Sequence, residues 1–419
     1  MDPLDRAFQP VAQPIVGMHF QESPREPRMI ETLSKPPAHS GQMTLDAAET
    51  PALVLDVARF DRNVARLKAR LAHLGVGFRP HVKTAKSIDV AQRLFTGDLG
   101  PITVSTIAEA EYFAAAGATD IVYAVGLAPK KIARIRDLVA QGVDVAVLID
   151  TVEQAQALAT TARDGGAMPA VLIEIDCDGH RGGLSPGNAA IIEIADILRA
   201  GAVEVRGVLT HAGESYACRG GVGLVEAAEG ERAAAVAAAQ ALRRHGHAAP
   251  VVSVGSTPTA HFARDLDGVT EVRAGVFMFF DLVMHGIGVC AVDDIAVSVL
   301  ATVIGHKLEK GWILIDAGWM AMSRDRGTQR HPVDQGYGLV CDVDGVPWPD
   351  LIVDDASQEH GIIKVRPGSA AALPDLPVGA RVRILPNHAC ATAAQHGAYQ
   401  VVTTGSRDIV AAWPRMRGW

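Results

Sequence analysis

From Pro51 onward, short β-branched runs alternate with stretches whose apolar residues recur every three or four positions. That alternation is the pattern of a parallel α/β sheet. An opening strand is expected at 52–55, followed by a helix through Leu71. Strands are then expected at 77–82, 102–104, 121–123, 143–149, 170–175, 205–209, 251–254 and 272–276, with helical sequence between them. Eight strand–helix units counted from Gly77 predict a closed (β/α)8 TIM-type barrel with one extra unit ahead of it, an open doubly wound sheet being the alternative. Lys83, Ser105, Asp150, Asp176, His211, Ser256 and Thr257 all fall just past strand C-terminal ends. In a barrel those positions converge on one mouth.

After Phe280 the helical period disappears, and β-rich segments such as 295–304 and 312–316 are separated by Gly, Asp and Pro turns. The organisation expected is a proline-rich N-terminal arm over 1–48, a barrel domain over 49–285 and a mainly antiparallel β domain over 286–419, which the opening strand can join.

Composition narrows the class of molecule. The chain has 419 residues, 48% hydrophobic and 21% charged, with a formal net charge of −8 and no long basic block, which argues against nucleic acid as a partner. Five dispersed cysteines without a C-x-x-C pair argue against a secreted disulfide framework and point to a reducing cytoplasm. No apolar run approaches the roughly 20 residues that span a bilayer.

Four segments carry candidate chemistry. In Arg79-Pro80-His81-Val82-Lys83-Thr84, strand alternation puts His81 and Lys83 on one face. A lysine desolvated there can lose its proton near neutrality, as a Schiff-base nucleophile must; a solvated strand-end lysine is the plain alternative. Val254-Gly255-Ser256-Thr257-Pro258-Thr259 closes the seventh strand. Thr257 is expected as N-cap with Pro258 first in the helix, presenting free amides to a phosphate, although an ordinary strand-to-helix turn explains the same residues. Glu174 to Gly183 forms a polar, glycine-rich turn from which Arg181 can donate to an oxyanion. Pro386-Asn387-His388-Ala389-Cys390 offers an imidazole and a thiolate on one face of extended backbone, two soft ligands suited to Zn²⁺. A core cysteine beside a hydrogen-bonded histidine is the alternative there, and His396 and His360 are weaker metal candidates.

Together, P-x-L-V-L-D at 51–56, R-P-H-V-K-T at 79–84, V-G-S-T-P-T at 254–259 and P-N-H-A-C at 386–390 resemble one family. It is the D-serine dehydratase and D-threonine aldolase group of fold-type III pyridoxal phosphate enzymes, related in architecture to alanine racemase. The resemblance implies an alanine-racemase-like barrel plus β domain, usually a homodimer, with pyridoxal 5'-phosphate covalently held on Lys83. It implies a phosphate site at Gly255, Ser256 and Thr257, with Arg181 near the cofactor's phenolate oxygen and His211 and Tyr216 as walls near its ring. Arg273 falls where racemases keep an arginine on the pyridine nitrogen. The H-x-C motif resembles the dehydratase branch and H-x-D the aldolases, so His388 and Cys390 imply a divalent metal, zinc or else manganese, that activates a β-hydroxyl as leaving group. Elimination from a D-β-hydroxy amino acid then yields a 2-keto acid and ammonia. Retro-aldol cleavage to glycine plus aldehyde is the alternative outcome, and a racemase or a non-catalytic pyridoxal phosphate carrier are further readings. The activity implied is D-serine dehydratase-like; many relatives read K-T-H-K where this chain has Ala85, a departure that shifts the substrate away from D-serine if that histidine shapes substrate choice.

Overall fold

A computed structural model describes residues 43–419. The arm expected over 1–48 therefore lies mostly outside the described residues, but its last six do not. Leu45 and Ala48 are buried against Val54 and Leu300, and Thr44 bridges Asp408.

Chain order runs β1 (Ala52–Asp56), the helix Val57–His73, β2 (Gly77–Phe78), β3 (Ile102–Val104), β4 (Asp120–Gly126), β5 (Asp144–Ile149), β6 (Ala170–Ile175), β7 (Val205–Thr210), β8 (Val251–Val254) and β9 (Glu271–Val272), with helices between successive strands. β2 to β9 form one parallel eight-stranded sheet in the order β2-β9-β8-β7-β6-β5-β4-β3. A parallel bridge from His81 to Thr103 returns β2 to β3 and closes the ring. Alternation builds two layers from it. Val145, Val147 and Ile149 of β5, like Val171, Ile173 and Ile175 of β6, pack toward the helices. Ala146, Leu148, Ala170 and Leu172 face inward with Val122 and Leu209. The same parity carries Glu174, His211 and Gly255 to the inner face at the C-terminal mouth.

The second sheet comprises β10 (Val297–Lys307), β11 (Trp312–Ile315), β12 (Gly338–Cys341), β13 (Pro347–Ala356), β14 (Gly361–Val365), β15 (Arg381–Pro386), β16 (Ala398–Val402) and β17 (Ala411–Pro414). Six of these strands close as β11-β14-β13-β12-β15-β10, because β10 also pairs β11. β1 lies between β10 and β16 in this sheet, so residues 52–56 fold with the β domain and not with the barrel domain expected over 49–285. Phe279 ties the two parts together, with its ring centroid 6.1 Å from Phe60 and 5.5 Å from Tyr399, both fully buried. Among the described residues no helix is long and apolar enough to cross a membrane.

Candidate active site

The lysine turn begins where the first barrel strand gives out. Beyond Phe78 the Arg79 and His81 amides still donate to the Val272 and Ala274 carbonyls, Pro80 offers only its carbonyl, to the Thr103 amide, and residues 82–85 turn. Val82 is buried against the helices, and Lys83 points into a cavity of about 500 Å³ at the mouth. Burial holds the Lys83 ammonium below its ordinary lysine value, helped by the charges of Arg181 and Arg273 and opposed by Cys390 and Glu109. More free amine near neutrality follows. His81 shares this wall with its Nε2 3.3 Å from Ser105 Oγ, and burial together with the neighbouring Lys83 charge keeps its imidazole neutral.

In the loop after β8 the N-cap is Ser256, one residue before the expected Thr257. Ser256 Oγ accepts from the Thr259 amide at 3.2 Å, and Thr259 Oγ1 accepts from the Ser256 amide at 3.1 Å. This reciprocal pair starts the helix Thr257–Phe262, with Thr257 first and Pro258 second. Gly255 has φ +146°, and a Cβ there would collide with the Arg273 carbonyl, so no other residue fits. Beneath this loop the fully buried Glu231 carboxylate accepts from the amides of Ala212 at 3.0 Å and Gly255 at 2.9 Å and from Thr259 Oγ1 at 2.6 Å. Burial raises its carboxyl pKa, and those three bonds offset part of the rise. Glu231 escaped the sequence reading, though a signal existed. It sits on the buried stripe of the helix Gly220–Arg244 with Leu224, Ala228, Ala235, Ala238 and Leu242.

His211 Nδ1 donates to the Gly255 carbonyl at 2.8 Å, and burial pulls its pKa down to about 3. Its ring lies 6.3 Å from Tyr216, whose phenol burial pushes up and keeps protonated. Arg273 is buried, donating to Ser253 Oγ at 2.7 Å and to the Thr210 carbonyl at 2.6 Å. Arg181 is exposed on its turn, which Asp150 pins by accepting from the Gly183 amide at 2.9 Å. Glu174 completes the floor, its carboxyl raised by burial.

The H-x-C segment is not the extended strand expected. It follows β15, with His388 extended at φ −134° and Cys390 inside the one-turn helix Ala389–Ala393. Imidazole and thiol still meet. His388 Nδ1 donates to Asp325 Oδ2 at 2.6 Å, and the His388 side chain also hydrogen-bonds Cys390. Burial pushes the Cys390 thiol up, but the His388 charge, with hydrogen bonds from His388 and Thr84, outweighs it and holds the thiol below its ordinary value. Asp281 accepts from the Ala389 amide at 3.0 Å and fastens this turn to the end of the barrel chain. Asp325 lies 63 residues before His388, a separation that left no local signal. Among the described residues no group of three or more His, Cys, Asp or Glu side chains is arranged around a metal position. His396 donates instead to the Ala321 carbonyl, and His360 lies exposed.

Lys83, Arg181, His211, Tyr216, Gly255, Ser256, Thr257, His388 and Cys390 thus all line the one cavity. Its contents are a partly deprotonated amine, two neutral imidazoles, a protonated phenol and a histidine–thiolate pair. This set can hold a carbonyl compound covalently, move a proton, and ligate a soft cation.

Residues 55–283 match the family model for the alanine racemase N-terminal domain, and 296–402 match the serine dehydratase domain. The chain is 51% identical over 381 residues to D-threo-3-hydroxyaspartate dehydratase of Delftia sp. HT23, covering 90% of this chain and all of that protein. The solved structure of that dehydratase superposes with a TM-score of 0.87 over 90% of this chain and all of its own. A cysteine-to-alanine variant of D-threo-3-hydroxyaspartate dehydratase has also been solved in a metal-free form. Identity is 29% both to D-serine dehydratase of Dictyostelium discoideum, over 85% of this chain and 94% of that one, and to D-threonine aldolase of an Arthrobacter species, over 88% and 93%.

Proposed function

The chain belongs to the alanine racemase-like family of pyridoxal phosphate enzymes, and from that premise we propose that it is a metal-dependent lyase of D-β-hydroxy amino acids, eliminating water to give a 2-keto acid and ammonia. The observation that carries this reading is the facing of Lys83 and the His388–Cys390 pair across one cavity. The residues present fit the cofactor: the amine is desolvated, and the helix start at Gly255, Ser256 and Thr257 lines the same cavity as Lys83. Lys83 would carry it, Gly255, Ser256 and Thr257 would hold its phosphate, and Arg181 its ring oxygen. The sulfur and nitrogen of Cys390 and His388 suit a divalent metal such as zinc.

Pyridoxal phosphate, when bound, supplies a sink for negative charge at Cα, and the metal a Lewis acid for the β-hydroxyl. The chain's own residues do the rest. Lys83, once its amine is released by substrate, takes the Cα proton, a task its lowered pKa favours. Burial makes His211 and His81 weak bases, so neither competes for that proton. Asp325 fixes the His388 tautomer that leaves Nε2 free to ligate.

D-threo-3-hydroxyaspartate is the preferred candidate substrate, on the 51% identity to its dehydratase and on Ala85. Ala85 is buried with its carbonyl taken by the Tyr399 hydroxyl at 2.7 Å. Incubation with D-threo-3-hydroxyaspartate, D-serine and D-threonine is expected to release 2-keto acid, and glycine plus aldehyde as the main products would overturn the dehydratase reading in favour of an aldolase. Free cysteines at all five positions support a reducing, cytoplasmic setting. A homodimer belongs to the same reading, and a sizing column checks it.

A further inference from the structure

Thr84 stands between the two halves of this machinery. It follows Lys83 in the chain, is fully buried, and its Oγ1 lies 3.2 Å from Cys390 Sγ. The contact is confined from behind, since a Cβ on Gly275 would come within 2.8 Å of the Thr84 hydroxyl oxygen. With the Tyr399 hydroxyl on the Ala85 carbonyl at 2.7 Å, the lysine turn meets the β domain at two consecutive residues. A sulfur that ligates a metal carries no proton to give. In a metal-loaded site the hydrogen bond must therefore run from the Thr84 hydroxyl to the sulfur. Groups that hydrogen-bond to metal ligands orient them and tune their strength.

We propose that Thr84 is a positioning residue for the metal: its hydroxyl aims the Cys390 sulfur and holds the metal turn against the lysine turn. This rests on the metal part of the function proposed above. The residue next to the cofactor lysine thereby sets metal affinity, coupling the two without either touching the other's ligand.

The test measures Zn²⁺ affinity of the full-length, pyridoxal phosphate-loaded chain by competition with a chromophoric chelator, independently of turnover. Thr84→Val and Thr84→Ala, which lack the donor, are expected to bind Zn²⁺ roughly 10–100-fold more weakly than wild type, while Thr84→Ser stays within about threefold. Co²⁺-loaded Thr84→Ala is expected to show a shifted sulfur-to-cobalt absorption band. Thermal melts of the metal-free forms separate misfolding from lost affinity, and Thr84→Ser covers the case in which Thr84→Val fails to fold. Equal Zn²⁺ affinity in Thr84→Ala and wild type, or a Thr84→Ser loss as large as that of Thr84→Ala, would overturn the inference. A wild-type chain that binds no Zn²⁺ or Co²⁺ overturns the metal assignment itself and this inference with it.

Discussion

Lys83 is made reactive by where its turn leaves it. Val82 is drawn into the helix-side core, so the amine is driven into the cavity, where desolvation dominates its charge balance. Since only the free amine captures an aldehyde, capture of pyridoxal phosphate by the apo chain should rise with pH and level off below the 10.5 of an ordinary lysine. Borohydride reduction after capture is expected to leave the added mass on the Lys83 peptide and none in Lys83→Ala, which should lose turnover by at least about 10²–10⁴-fold. Label on Lys86 instead would refute the assignment, and that outcome is disfavoured because Lys86 is engaged 2.8 Å from Glu109. At this scale the sequence was most informative, because R-P-H-V-K-T and P-N-H-A-C name their own chemistry. It was least informative about Asp325, Asp281 and Glu231, each of which acts on a segment far away in the chain.

At the scale of elements, the alternation of apolar residues placed β3, β6 and β8 to the residue, because buried parallel strands read as continuous β-branched runs. It overextended β2 and β9. The first keeps its bonds through the His81 amide and then turns over residues 82–85, and the second stays paired as far as the Ala274 carbonyl before a 3-10 turn at Val276–Met278. The cap was displaced by one residue because Ser256 and Thr257 are equally good cap formers, and only the reciprocal bond with Thr259 selects the former. The 49–285 boundary puts β1 with the barrel although its sequence also suits the β domain: a short apolar strand does not declare which sheet it joins, and pairing with β10 and β16 decides for the β domain. The loop after β8 hangs on Glu231. Glu231→Leu strands the buried amides of Ala212 and Gly255 and is expected to cost about 2–5 kcal/mol in denaturant unfolding and to weaken cofactor retention. Glu231→Gln, which keeps an acceptor oxygen, should cost much less. Equal losses in both variants would show that charge, and not acceptance, is what the loop needs.

Over the whole molecule, burial of neutral imidazoles sets part of the acid response. His261 is held down to about 4 by burial, against 6.5 for an ordinary histidine. A depressed histidine contributes its stability fully above the unfolded value and loses it as pH falls through the folded one. Between pH 6.5 and 4 the wild type should therefore lose stability relative to His261→Gln, by up to about 3 kcal/mol, read as the difference between their urea midpoints at each pH. A constant difference across that range would mean that His261 titrates normally. Barrel and β domain share the cavity, with Lys83 coming from one and Cys390 from the other, so chemistry at the mouth requires both. The most direct measurement of that claim follows turnover of D-threo-3-hydroxyaspartate by the pyridoxal phosphate-loaded chain before and after metal removal. The expected result is 2-keto acid and ammonia in equal amounts with metal, none after chelation, and recovery when the divalent ion is restored. Undiminished keto acid from the metal-free chain would contradict the account.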